Sequence, residues 1–254
     1  MISEITRRNE KICYAIAVIH DRKTRFPIYD KGDIPVRCVQ SGGVCKMNIK
    51  SKYSIKAVSN SYALQMVEKY HYLHAKCPCS KAFGLFERNT DRCVGIVTYG
   101  VPHSPTLRCG ICGQTEASNV YELNRVWVDP SVPTGGEAYL ITNTICQVDR
   151  EIIVSYVDTS RKDGVAPLVT AGFYYTGETS RHLDPVVAGH TGHHASLLQG
   201  VSKQDFIDFY GKSNVTCVER SRKHRFVSFN ARTSSLKALK DKMNYPIVSL
   251  PAAI

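Results

Sequence analysis

Residues 151–177 constrain this chain more than any other stretch. Glu151 to Val157 is rich in β-branched and aromatic residues, which predicts a buried strand. Asp158-Thr159-Ser160 supplies loop chemistry, and Gly164 to Thr170 is compatible with a short helix. Gly172 breaks that helix, and Phe173-Tyr174-Tyr175 opens another strand. This order puts Asp158 at the carboxyl end of a strand, the edge of an open α/β sheet where ligands bind. The competing role for Asp158 is to cap the following helix.

Upstream, Ser59-Asn60-Ser61 offers cap residues, and Ala63, Met66, Val67 and Tyr70 repeat at i, i+3, i+4, i+7. This helix ends at His71-Tyr72, and Pro78 forbids continuation. A His-Tyr pair at a helix end can present two proton-transfer groups to a cleft. It can equally be a dipole-complementing histidine beside a core tyrosine.

Ala82 to Phe86 and Cys93 to Tyr99 read as a hairpin, and Gly100 to Gln114 as a long polar loop. Val120 to Asp129 alternates as a strand, with Leu123, Arg125 and Trp127 expected on one face and Glu122, Asn124 and Val126 on the other. Polar Glu122 and Asn124 in a central strand are costly unless paired or used, which favours a site wall there over an internal ion pair to Arg125 or Arg108. Thr134-Gly135-Gly136-Glu137 reads as a capping box opening a helix whose Ala138, Ile141, Ile145 and Val148 face the core. Leu236 to Met243 is expected as a last helix, and Tyr245 to Val248 as a terminal strand.

Composition matters where charge is concerned. The net charge is +11, and residues 1–60 carry 12 Lys and Arg against 5 Asp and Glu. Residues 201–254 carry 10 against 4, so the basic excess lies at the two ends, and a polyanion such as nucleic acid fits that distribution. Arg220, Arg222, Lys223, His224 and Arg225 lie beside Phe226 and Phe229, a mixture suited to phosphate contact and base stacking. Arg181, His182, His190, His193 and His194 sit among glycines, as a nucleic-acid contact or a metal-binding loop. No apolar run approaches the roughly 20 residues needed to span a bilayer, and no secretory signal is apparent, so the expected location is the cytoplasm. Ten cysteines are then expected as reduced thiols. Cys77 and Cys79, with Cys109 and Cys112, can be read as a four-thiolate zinc site or as packed free thiols.

The central order of hairpin, strand, glycine-started helix, strand, helix and strand resembles the acetyl-CoA-dependent N-acyltransferase (GNAT-like) fold. That resemblance implies an α/β domain over 51–254, with a mixed, mostly antiparallel central sheet and flanking helices, after an extension at 1–50. It also makes acetyl-CoA a possible donor, although Ser131 to Gly136 lacks the basic residue of that family's pyrophosphate loop.

A narrower likeness rests on an ordered set of segments. They are Tyr70-His71-Tyr72-Leu73, Phe83-Gly84-Leu85-Phe86, the Gly100-Val101-Pro102-His103-Ser104-Pro105 loop, Glu122-Leu123-Asn124-Arg125, Ser155 to Ser160, Gly172 to Gly177, and Lys223-His224-Arg225-Phe226. Together they resemble the phage Mom family, whose members convert adenine in DNA to its N6-carbamoylmethyl form and so defeat host restriction. The resemblance implies catalytic roles for His71, Tyr72 and Asp158, and for Thr142 where the family has Ser. A family Tyr falls at Leu168, with Tyr174 or Tyr175 as substitutes. Glu122, Asn124, Arg125, Ser155, Thr159, Ser160 and Tyr174 are expected to bind adenine or a small-molecule donor. Arg181, His193, His194, Arg220, Arg222, Lys223 and Arg225 are expected to contact double-stranded DNA. Since N6 of adenine is a poor nucleophile, a base is needed, and His71 or Asp158 could serve. An imidazole with a carboxylate also suits iron or another transition ion. A dimer is compatible with this reading.

Overall fold

The structure, a computed structural model, describes residues 37–40, 43–46, 49–159, 161–181, 183–187, 202–219, 222–230 and 233–251. His190, His193, His194, Ser160, Arg220 and the extension at 1–36 lie outside the described residues.

Seven strands form one sheet in the order β3(Tyr53–Ala57), β4(Lys81–Glu87), β5(Cys93–Gly100), β6(Val120–Val128), β7(Ile152–Asp158), β11(Lys223–Phe229), β8(Tyr174–Glu178). Every neighbouring pair in it is antiparallel except β6 and β7. Two ribbons stand apart, β1(Arg37–Gln40) with β2(Gly43–Lys46), and β9(Leu183–Val187) with β10(Val215–Glu219). The six longer helices are α1(Asn60–Tyr70), α2(Pro105–Cys112), α3(Gly136–Ile145), α4(Val165–Thr170), α5(Lys203–Tyr210) and α6(Thr233–Asp241). This is the expected mixed α/β sheet with flanking helices.

Helices cover both faces. On one, α3 and α4 bury Leu140, Ile141, Val165 and Leu168 against Val97, Leu123, Ile153 and Phe226. On the other, α1 packs Ala63 and Val67 on Ile96, and further along α2 and α6 pack Ile111 and Leu239 on Ile152, Val154 and Val227. Ser59 caps α1 as expected, its hydroxyl accepting from the Tyr62 N–H.

Several expectations are corrected. Gly100 to Gln114 contains helix α2, started by Pro105, whose missing N–H costs nothing at the first helical position. Helix α3 is capped by Gly135 in the left-handed conformation, and Thr134 makes no capping box. Gly136 is required by packing, since a Cβ there would lie 2.7 Å from a Val132 methyl. Tyr245 to Val248 is not a strand, although the Val248 N–H donates to the Tyr175 carbonyl.

The most consequential correction concerns β6. Thr98 pairs with Arg125 but the next residue, Tyr99, pairs with Leu123, so Asn124 is an extra residue, a β-bulge. An extra residue reverses which face the remaining side chains take. Leu123 and Val126 therefore share the α3 face, while Glu122, Arg125 and Trp127 are turned toward α1. The expected grouping of Leu123 with Arg125 and Trp127 does not hold.

Candidate active site

The pairing between β6 and β7 is short. It runs from Val120 opposite Ile152 to Leu123 opposite Ser155 and then stops. Beyond it β6 continues to Val128 along β5, and β7 continues to Asp158 along β11. The two strands separate and leave a cleft of ≈ 540 Å³. That falls in the usual size range for a small-molecule site.

The cleft has two sides because the sheet itself is open there. Toward α3 and α4 it is lined by Ile141, Leu168, Pro167, Ser155 and Glu137. Toward α1 it is lined by Tyr70, His71, Tyr72, Trp127, Arg125 and Glu122, with Tyr156, Asp158 and Lys223 from the facing strands. Tyr70 stacks on Trp127 with centroids 4.6 Å apart and planes 13° apart. One side is mainly apolar and the other aromatic and charged.

His71 lies at the end of α1, 6% exposed, its backbone N–H donating to Val67. Its Nδ1 accepts the backbone N–H of Leu73 at 3.2 Å. Burial, then the nearby Arg125 and Arg161 guanidinium groups, push its pKa down to about 4. The ring is neutral at pH 7, and with Nδ1 used as an acceptor its proton sits on Nε2. In this arrangement His71 lines the cleft as a hydrogen-bond donor through Nε2.

Asp158 ends β7, opposite Lys223 in register. The helix after it, α4, has Gly164 at its N-cap position with no side-chain cap bond, so Asp158 does not cap α4. Three other carboxyls line the cleft: Glu122 and Glu137, both pushed above the usual range chiefly by burial, and Asp163, held below it by Arg161. Asn124, at the bulge, donates through Nδ2 to the carbonyls of Pro78 at 2.8 Å and Glu122 at 3.2 Å. Arg125 donates to the Asn124 carbonyl at 2.7 Å, and its buried Nε has no partner among the described residues. Ser155 donates to the Leu123 carbonyl at 3.3 Å, which ties the last paired step of the two strands.

Other expected residues lie elsewhere. Thr142 does not line the cleft, because its helix presents Glu137 and Ile141 instead. Tyr174 is on β8, two strands from β7, and its hydroxyl accepts from Lys240 at 2.8 Å. Thr159 is outside the lining, its backbone N–H held by the Arg222 carbonyl. Arg225 is not a phosphate contact. It is 8% exposed, donates to the Thr176 hydroxyl and carbonyl, and packs its guanidinium 3.2 Å from the Tyr245 ring centroid. Arg181 and Arg222 are partly exposed and pair with Glu219 and Glu178. Sequence reasoning did not single out Trp127, Glu137 or Arg161 as site residues, although Trp127, the single tryptophan, stood in the alternating strand.

Metal ligation was tested on the same geometry. The four cysteines are not gathered, since Cys77 meets Thr98, Cys79 the Lys81 carbonyl, Cys109 Gln114 and Cys112 the Leu239 carbonyl. Among the described residues no group of three or more His, Cys, Asp or Glu converges as a metal site. For His71 to ligate through Nε2, its Nδ1 would have to carry the proton and face the Leu73 N–H, donor against donor. The residues present do not fit a His71–Asp158 metal ion.

A mostly antiparallel α/β sheet that opens at one parallel seam over a two-sided cleft defines the class, a GNAT-like α/β fold. The particular family follows from the sequence. The model of the Mom protein family matches residues 52–247, and the chain belongs to that family. No curated protein matches it. Similar solved structures include the spermidine/spermine N-acetyltransferase SpeG from Vibrio cholerae, with 10% identity and a TM-score of 0.41, over 75% of this chain and 98% of that one. A ribosomal-protein-S5-alanine acetyltransferase from Vibrio fischeri gives 12% identity and 0.41 over 70% and 93%. A GNAT-family acetyltransferase from Bacillus cereus gives 11% and 0.40 over 71% and 99%. Among the described residues no helix is long and apolar enough to cross a membrane.

Proposed function

We propose that this chain is a phage-type DNA-modifying transferase that converts adenine in double-stranded DNA to N6-carbamoylmethyladenine and so shields the DNA from restriction. The observation that carries the reading, beside family membership, is the two-sided cleft at the β6–β7 seam, with His71 and Asp158 on its aromatic, charged side. A transferase needs two substrates to meet, and a seam open to both faces lets each enter from its own side.

The aromatic side suits a purine. Adenine N6 is hidden in a duplex, so the base must leave the stack, and unpairing is offset by stacking on Tyr72 and hydrogen bonding. The N6 lone pair then attacks the donor's electrophilic carbon. As the N6–C bond forms, the N6 proton passes to the Asp158 carboxylate, and the leaving group departs with the donor's bonding pair. Neutral His71 donates its Nε2 proton in a hydrogen bond to charge that develops beside it, which orients the reactants without removing a proton.

The donor enters from the α3 side in this reading. The features there argue against acyl-CoA. Residues 131–136 carry no basic side chain, and Glu137 sets a carboxyl at the first turn of α3, where a pyrophosphate would need positive charge. A smaller, less anionic donor is the better match. DNA recovered from bacteria expressing the chain should resist restriction enzymes whose sites contain adenine and be cut normally by those whose sites lack it. Equal cutting by both groups, with the protein folded and abundant, would remove this reading.

A further inference from the structure

Tyr72 and Arg161 come from opposite walls of the cleft. Tyr72 follows α1, which packs on β4 to β6, and Arg161 follows β7. No backbone pairing joins these walls beyond Leu123 and Ser155. Yet the Arg161 guanidinium lies over the Tyr72 ring at 4.0 Å from its centroid. Arg161 is held from behind by Asp163, which accepts from Nε at 3.1 Å and from Nη2 at 2.8 Å, and its backbone N–H donates to the Asp158 carbonyl. Tyr72 is 51% exposed, and its inner neighbour is the His71 ring, 4.4 Å away.

We propose that Tyr72 and Arg161 form a stacking gate, closed on each other in the free protein, which parts to clasp the extruded adenine between the phenol ring and the guanidinium plane. This rests on the DNA-modifying reading above and adds the residue that receives the base. At 4.0 Å the two groups leave no space for a planar ring. Admitting one base requires the gap to open by about 3.4 Å, the rise of one base along a strand. The exchange is downhill. An exposed cation–π contact is among the weaker interactions, and a base stacked on two flat faces replaces it with two stronger ones.

The choice of arginine follows from its shape. Its guanidinium is flat and delocalised and stacks on rings, whereas a lysine ammonium is a point charge. The bidentate grip of Asp163 keeps the plane from rotating while the base enters. Next to the gate, His71 and Asp158 line the same cleft, so a base held there is delivered to the groups that act on N6.

The test uses the full chain and a duplex carrying one unpaired 2-aminopurine, whose fluorescence rises when it leaves the stack and is quenched on restacking with an aromatic group. DNA binding is followed in parallel by anisotropy. Wild-type protein should bind and quench the probe. Arg161→Ala and Arg161→Lys should both lose quenching affinity by about tenfold, as expected for removal of one stacking face. Their overall DNA affinity should stay within about twofold of wild type, because Arg161 is one cation among many and its charge is already paired with Asp163. Full recovery by Arg161→Lys would show that Arg161 acts through charge alone and would overturn the gate. Wild-type quenching in both variants would overturn it too. Failure of wild-type protein to bind DNA, or to modify adenine at all, would remove the underlying reading and the gate with it. Modification without any quenching would remove the gate alone.

Discussion

The backbone N–H of Leu73 donates to Nδ1 of His71 at 3.2 Å, and this contact fixes where the imidazole proton resides. Leu73 is three residues beyond the end of α1, so the turn that stops the helix also sets the histidine's tautomer. A ring that accepts at Nδ1 and donates at Nε2 can polarise a neighbour but cannot take a proton from it. In the reaction proposed above, that leaves the Asp158 carboxylate to take the N6 proton.

The pH dependence of stability should reveal that ring. Its folded pKa, about 4, lies below the unfolded value of about 6.5, so between these values the unfolded chain binds more protons. Stability therefore rises with pH through this window and is fully present above 6.5. The contribution is roughly 2 kcal/mol after allowing for the partial solvation of the site. Urea unfolding at pH 4.5 and pH 7.5 should show that difference in wild type, and His71→Gln should show a correspondingly smaller one.

Arg225 and Lys223 are neighbours in a basic run but should behave oppositely. Arg225→Ala leaves the Thr176 carbonyl and hydroxyl without their donors inside the sheet, and a loss of about 3 kcal/mol in unfolding free energy is expected. Lys223→Ala should leave stability nearly unchanged. If Lys223 meets a phosphate, its removal weakens DNA binding and lowers the slope of log affinity against log salt by about one. Equilibrium unfolding and a salt titration measure the two effects separately.

That contrast shows why the site was only partly legible. Lys223 and Arg225 lie two positions apart and so share a face of β11, but Lys223 is at the exposed end of the strand while Arg225 is covered by Tyr245, so a charge run reads as one surface in the sequence and as two environments in the sheet. The strand at 152–158, the helix ended by His71, the hairpin and β6 were all legible because their apolar periods are unambiguous. The bulge at Asn124 was not, because nothing in Glu122-Leu123-Asn124-Arg125 distinguishes an unpaired residue from a paired one. It is the register with β5 that decides. Arg161 was hidden for the same kind of reason, since its partner Tyr72 is 89 positions away in sequence.

Gly100 should prove intolerant. A Cβ there would lie 2.2 Å from the Pro78 carbonyl oxygen and 3.0 Å from Asn124 Nδ2. Those are the two groups that bond each other to hold the loop after His71 and Tyr72 against β6. Gly100→Ala should cost about 1–3 kcal/mol through overpacking and should lower activity by moving that loop. A melting curve and a nucleoside assay on the same preparation check both.

The most direct test is mass spectrometry of nucleosides from DNA of bacteria expressing wild-type, Asp158→Asn or His71→Gln protein. The account predicts a deoxyadenosine species heavier by one carbamoylmethyl group with wild type. Asp158→Asn should abolish it, since the amide keeps the shape of the carboxylate but cannot act as the base. His71→Gln should retain a reduced yield, since the glutamine amide can still donate a hydrogen bond. Unmodified deoxyadenosine with folded wild-type protein, or full modification by Asp158→Asn, would contradict it.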